Sequence, residues 1–128
     1  MTPSLDHIGI YVRDLERSLS FYRCVLGFTQ RQRLSMGASK TAVLEIGGEL
    51  LEIIQRPEVQ RPEAPAEAPK GRWSHIAFHI DDYDDLESKL EGMGIELRKV
   101  TLDNGLRIAF FKDPDGHEIE MMEGGLGQ

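Results

Sequence analysis

Two histidines and two glutamates recur at one spacing. His7 and His75 lie 68 residues apart, as do Glu52 and Glu120, so each Glu follows its His by 45 residues. Both histidines head alternating runs, Asp6-His7-Ile8-Gly9-Ile10-Tyr11-Val12 and Ser74-His75-Ile76-Ala77-Phe78-His79-Ile80. In extended chain the Ile, Val and Phe side chains take one face, and the imidazoles take the other. Both glutamates sit in matching runs, Gly48-Glu49-Leu50-Leu51-Glu52-Ile53 and Gly116-His117-Glu118-Ile119-Glu120-Met121, and again oppose the apolar face. Two neutral imidazoles with two carboxylates suit one divalent ion per site, Ni²⁺ or Zn²⁺ first, then Co²⁺ or Mn²⁺. Without a thiolate, six-coordination with two waters leaves exchangeable positions for a substrate. Any one of these residues alone reads as an ordinary strand histidine or a solvated glutamate. The common shift and the shared faces favour a joint role.

A repeat of this length implies a duplicated supersecondary unit. The first module, 1–55, reads β-α-β-β-β. A strand at Asp6–Val12 is followed by a helix capped by Asp14, with Leu15, Leu19, Tyr22 and Leu26 along one stripe and Gly27 at its end. Strands follow at Thr29–Leu34, Thr41–Ile46 and, after a Gly47-Gly48 turn, Glu49–Gln55. The stretch 56–72 holds four of the six prolines and reads as a linker. The second module, 73–124, repeats the order. A strand at Trp73–Ile80 leads to a helix capped by Asp81 or Asp82 and closed by Gly94. Strands at Ile95–Thr101, Leu106–Lys112 and His117–Glu123 follow, the last two joined by the turn Asp113-Pro114-Asp115-Gly116. Residues 125–128 read as a tail. The fold class is α+β.

Tyr11, His79 and Arg107 are candidates for contact with substrate. His79 shares the face of His75, either lining the pocket or standing partly exposed beside it, while Tyr11 is equally a substrate contact or a space-filler. Glu118 has the parity of Glu120 but adjoins the turn, so it is placed at the rim. Arg13, Arg31, Arg33, Arg72, Arg98 and Arg107 could each hold an anionic group, and the sequence singles out none of them. Cys24 is the only cysteine, which excludes an internal disulfide; it is expected to pack inside rather than react. The net charge of −7 argues against nucleic acid or an anionic membrane as partner. The first residues show no secretory pattern and no apolar run spans a bilayer, so a cytoplasmic location is expected.

The motifs Asp6-His7-Ile8-Gly9-Ile10-Tyr11-Val12-Arg13-Asp14-Leu15-Glu16, Phe21-Tyr22 with Leu26-Gly27-Phe28, His75-Ile76-Ala77-Phe78 and Asp113-Pro114-Asp115-Gly116-His117-Glu118-Ile119-Glu120 resemble the vicinal oxygen chelate superfamily. That superfamily includes glyoxalase I, methylmalonyl-CoA epimerase, extradiol dioxygenases, fosfomycin-resistance transferases and bleomycin-binding proteins. The resemblance, over residues 5 to 123, implies tandem βαβββ modules forming curved mixed sheets around a central cleft, often assembled as a homodimer with the metal site at a module–module or a subunit interface. It gives His7, Glu52, His75 and Glu120 as metal ligands of a glyoxalase I-like lyase or isomerase. The metal would stabilise an enediolate of a hemithioacetal or other α-oxygenated carbonyl compound, with Glu120 as base and Glu52 as its partner. A methylmalonyl-CoA epimerase-like enzyme needs the same chemistry. A ring-cleaving dioxygenase would want two His and one carboxylate, which Glu52 exceeds. A bleomycin-type binding protein usually lacks the full ligand set. Two positions differ from glyoxalase I: Tyr11 stands where an Arg that helps hold glutathione is usual, and the strand of the first Glu runs Glu52-Ile53-Ile54-Gln55-Arg56 in place of Glu-Leu-Thr-x-Asn-Trp.

Overall fold

Alternating side chains in the first and last strands of each repeat let them lie side by side, and they do. The computed structural model describes residues 3–57 and 75–124. The chain divides into two compact units, Met1–Ala64 and Pro65–Gln128. Most of the expected linker, Trp73, Ser74 and the tail 125–128 lie outside the described residues.

In the first unit the order is β1 (Ile8–Val12), α1 (Leu15–Cys24), β2 (Thr29–Met36), β3 (Ser39–Ile46) and β4 (Glu49–Gln55). The sheet runs β1-β4-β3-β2. It is mixed, because β1 pairs with β4 in parallel and the other pairs are antiparallel. Asp14 caps α1 as its carboxylate accepts the Arg17 N–H at 3.1 Å. The Leu15 N–H donates to Gln55 Oε1 at 2.7 Å, fastening the start of the helix to the end of β4. Leu15, Leu19 and Tyr22 are buried from α1, and Leu44, Leu51 and Ile53 from the sheet. Tyr22 stacks on Phe28 at 5.6 Å between ring centroids.

The second unit repeats this with β5 (Ile76–His79), α2 (Tyr83–Gly92), β6 (Arg98–Thr101), β7 (Arg107–Lys112) and β8 (Glu118–Met122), ordered β5-β8-β7-β6. Asp82 is the cap of α2, accepting the Asp85 N–H at 3.2 Å. Tyr83 and Leu90 are buried with Ala109, Phe111, Ile119 and Met121. The β7–β8 turn is built on Asp113, which is buried and accepts the N–H groups of Asp115 and His117, each at 2.9 Å.

Three expectations need correction. Leu26 lies beyond α1, because the chain leaves the helix in a C-terminal wrap. Gly27 has φ of 75°, the Gly27 N–H donates to Arg23 O and the Phe28 N–H donates to Tyr22 O. The strand expected from Ile95 begins only at Arg98, since the same wrap at Gly94 sends the Ile95 N–H to Leu90 O. Cys24 is exposed, not buried, because it falls in the last turn of α1 off the Leu15–Leu19–Tyr22 stripe. No helix among the described residues is long and apolar enough to cross a membrane.

Candidate metal centre

Parallel pairing of the first and last strands sets each imidazole beside its carboxylate. In the first unit Gly9 lies opposite Glu52, and His7 stands just before β1 on the same open face. His7 Nε2 comes to 3.6 Å from Glu52 Oε2. In the second unit Ala77 lies opposite Glu120, and His75 Nε2 comes to 3.6 Å from Glu120 Oε2. The match of strand, register and distance is complete in the two units.

A separation of 3.6 Å is too long for a hydrogen bond. Two ligands each about 2.1 Å from a shared ion, at an ordinary coordination angle, stand about 3.0–3.5 Å apart. The donor chemistry of each pair therefore fits half of a divalent-cation site. Among the described residues no group of three or more His, Cys, Asp or Glu comes together as a cage. Each unit offers two donors.

The surroundings of the two pairs differ. His7 Nδ1 lies 2.7 Å from the Asp6 carboxylate, a contact that puts the ring proton on Nδ1 and turns the Nε2 lone pair toward Glu52. The Asp6 hydrogen bond raises the His7 pKa above its usual value; desolvation opposes this, and the Glu52 and Asp6 charges add to it. His75 instead meets the ring of Phe110 edge to face at 5.9 Å. Phe110 lies opposite Glu120 on β7, and the Arg98 guanidinium covers the Phe110 ring at 4.2 Å. Glu120 is the drier carboxylate, with 11% of its side chain exposed against 24% for Glu52.

The substrate-contact candidates fall in different places. Tyr11 is on the open face of the first sheet, two residues past Gly9, and the Arg56 guanidinium lies over its ring at 3.8 Å while donating to its hydroxyl. His79 is on the open face of the second sheet, with Nε2 3.9 Å from Asp81. Arg107 has the parity of Ala109 and Phe111, on the helix side. There it bonds Asp84 at 2.8 Å and Glu123 at 2.6 Å and covers the Tyr83 ring at 4.6 Å, so it is not brought together with His75 and Glu120. Among the other arginines, Arg33 pairs with Glu16 of α1, Arg31 pairs with Glu45, and Arg72 lies outside the described residues. Asp6, Arg56 and Phe110 escaped the sequence reading. Asp6 adjoins His7 and Arg56 has the parity of Glu52, so both carried a signal; Phe110 is placed by hairpin register alone.

Paired βαβββ units, each setting an imidazole against a carboxylate, are the architecture of the vicinal oxygen chelate class. The chain belongs to the Glyoxalase/Bleomycin resistance protein/Dioxygenase superfamily, whose profile matches residues 4–121. It is similar to glutathione transferase FosA of Serratia marcescens, 31% identical over 98% of this chain and 84% of that protein. It is also similar to glyoxylase I 4 of Arabidopsis thaliana, 34% identical over 92% of this chain and 69% of that protein. The fold matches fosfomycin resistance protein FosX from Listeria monocytogenes, solved with Mn(II) and sulfate ion. That likeness has a TM-score of 0.74 and 23% identity, over 99% of this chain and 97% of FosX.

Proposed function

We propose that this protein is a glyoxalase I-like, metal-dependent lyase or isomerase. Its substrate would be a hemithioacetal or another carbonyl compound bearing oxygen on the adjacent carbon. The observation that carries this reading is the repeated His–Glu pair at 3.6 Å, one in each unit. His7, Glu52, His75 and Glu120 hold one divalent ion, in the class of Ni²⁺, Zn²⁺, Co²⁺ or Mn²⁺. When bound, the ion supplies Lewis-acid stabilisation of negative charge on two neighbouring substrate oxygens.

The proton traffic belongs to the carboxylates. Glu120 takes the proton from the carbon bearing the thiol, and the electron pair moves to the carbonyl side. Glu120 then returns the same proton to the neighbouring carbon while the hydroxyl proton passes to the former carbonyl oxygen, so that hydroxyl and carbonyl exchange places and nothing is oxidised overall. Its low exposure suits this role, because a carboxylate screened from bulk water keeps the abstracted proton for return. Glu52 is its partner carboxylate. Asp6 orients His7, and Phe110 steadies the ring of His75.

Transfer of a thiol to an electrophile is a second reading, supported by the similarity to FosA. Assays of hemithioacetal isomerisation, methylmalonyl-CoA epimerisation and thiol addition to fosfomycin separate these reactions. The carrying test is metal content of protein purified without added ions, in wild type and in Glu52→Ala and Glu120→Ala. About one divalent ion per site is expected in the wild type, with loss of affinity of 10–100-fold or more in each variant, at least the size of effects from outer-shell partners. Undiminished metal in both variants overturns the ligand assignment.

A further inference from the structure

The second unit carries a cavity of about 470 Å³ lined by Ile95, Glu96, Arg98, Phe110, Phe111, Lys112 and Glu118. We infer that Arg98 and Lys112 form an oxyanion subsite in this cavity, holding a carboxylate, phosphonate or phosphate group on the far end of the substrate whose vicinal oxygens sit at His75 and Glu120. The inference rests on the catalytic reading above.

Register places these groups on one face. Glu120, Phe110 and Arg98 lie across neighbouring strands β8, β7 and β6 at one rung, and Glu118 and Lys112 pair at the next. All share the side of the sheet that carries His75. Arg98 is set in advance, its guanidinium 4.2 Å over the Phe110 ring and 3.4 Å from Glu118 Oε1. With five N–H donors, it keeps further donors for an oxyanion, in the fork geometry that carboxylate and phosphate match. Lys112 stands directly across from Glu118 yet has no ion-pair partner among the described residues, so its ammonium is uncommitted. Glu96 and Glu118 share the wall with the two cations, so an oxyanion there depends on direct hydrogen bonds from the guanidinium edge more than on net charge. Of the described arginines of the second unit, Arg107 is held by Asp84 and Glu123 on the helix side of the sheet, whereas Arg98 stands on the face of Phe110 and Glu120.

The placement also sizes the ligand. From β8 to β6 is two strand spacings, about 10 Å. A three-carbon oxoaldehyde cannot span that, whereas its adduct with an anionic thiol, or a long acyl compound ending in an acid, can.

The test titrates metal-free, isotope-labelled protein with inorganic phosphate and follows NMR shifts. Saturable shifts centred on Phe110 and Lys112 are expected, weakened about threefold by Lys112→Gln and at least about tenfold by Arg98→Gln with Lys112→Gln. Lys112 is exposed and has no ion-pair partner among the described residues, so its variant tests the subsite without threatening the fold. Shifts that are absent, scattered over the surface or unchanged in the variants overturn the inference. In turnover, the double variant should lose about tenfold in kcat/KM for a hemithioacetal of a carboxylated thiol and little for that of a neutral thiol. Equal loss for both overturns it. Metal content of the double variant reports on the four-ligand reading separately and is expected to match wild type.

Discussion

Asp6 holds the Nδ1 proton of His7, and that single contact has a measurable sign. Because the folded-state pKa is raised above 6.5, the contact stabilises the fold below the unfolded value and the benefit disappears as pH rises through the folded one. NMR titration of the metal-free protein should find His7 titrating above 6.5, and Asp6→Asn should bring it down. Metal binds at Nε2 and has to displace the second proton of the imidazolium there, while Nδ1–H stays with Asp6, so the pH midpoint of metal uptake should fall in Asp6→Asn as well. Gly9 offers a second check on a single residue. A Cβ built there would sit 3.8 Å from Glu52 Oε1 and 3.5 Å from Ile54 Cδ1, ordinary contact distances. The matching position in the second unit already carries a Cβ, Ala77 opposite Glu120. Gly9→Ala should therefore keep both fold and metal, while Gly9→Leu should push Glu52 aside and lower metal affinity, read by calorimetric titration.

At the scale of elements, Asp113 governs the last hairpin and with it the register that aims Glu120. Losing a buried carboxylate that accepts two backbone N–H groups should cost about 1–3 kcal/mol. Asp113→Ala is expected to lower the urea midpoint by that measure, and metal affinity with it. The strands that bear Glu52 and Glu120, and those that His7 and His75 directly precede, were legible in the sequence because apolar alternation is strong in Asp6–Val12 and the Glu49–Gln55 boundaries are marked by Gly47-Gly48 and the prolines. The helices were legible through their Asp caps. Two ends were misplaced, at Leu26 and Ile95, where main-chain wraps around Gly27 and Gly94 outweighed apolar periodicity. Which arginine faces the site was not legible at all. Arg98 and Arg107 differ in sheet face and in partners, and hairpin register and helix packing decide that, not composition.

For the whole molecule the sharpest expectation concerns how two similar halves share one task. If His7, Glu52, His75 and Glu120 serve a common ion, removing a ligand from either half should abolish tight binding. Independent half-sites would instead leave metal on the untouched unit. Stoichiometry by elemental analysis of His7→Ala and His75→Ala distinguishes the two, with near-complete loss expected from each. Chelator treatment should lower the thermal midpoint of the wild type and leave those variants unmoved, since a ligand bound only to the native state stabilises it.

The direct main-chain bonding of β1 to β4 and of β5 to β8 has a practical consequence. Residues far apart along the backbone are clamped by neighbours in the sheet, while the hairpin tips at Gly37 and Gly105 belong to the other strand pairs, β2–β3 and β6–β7. A fluorescent or affinity peptide spliced into either tip should leave cation uptake intact, giving a handle for immobilising the protein while its chemistry is measured.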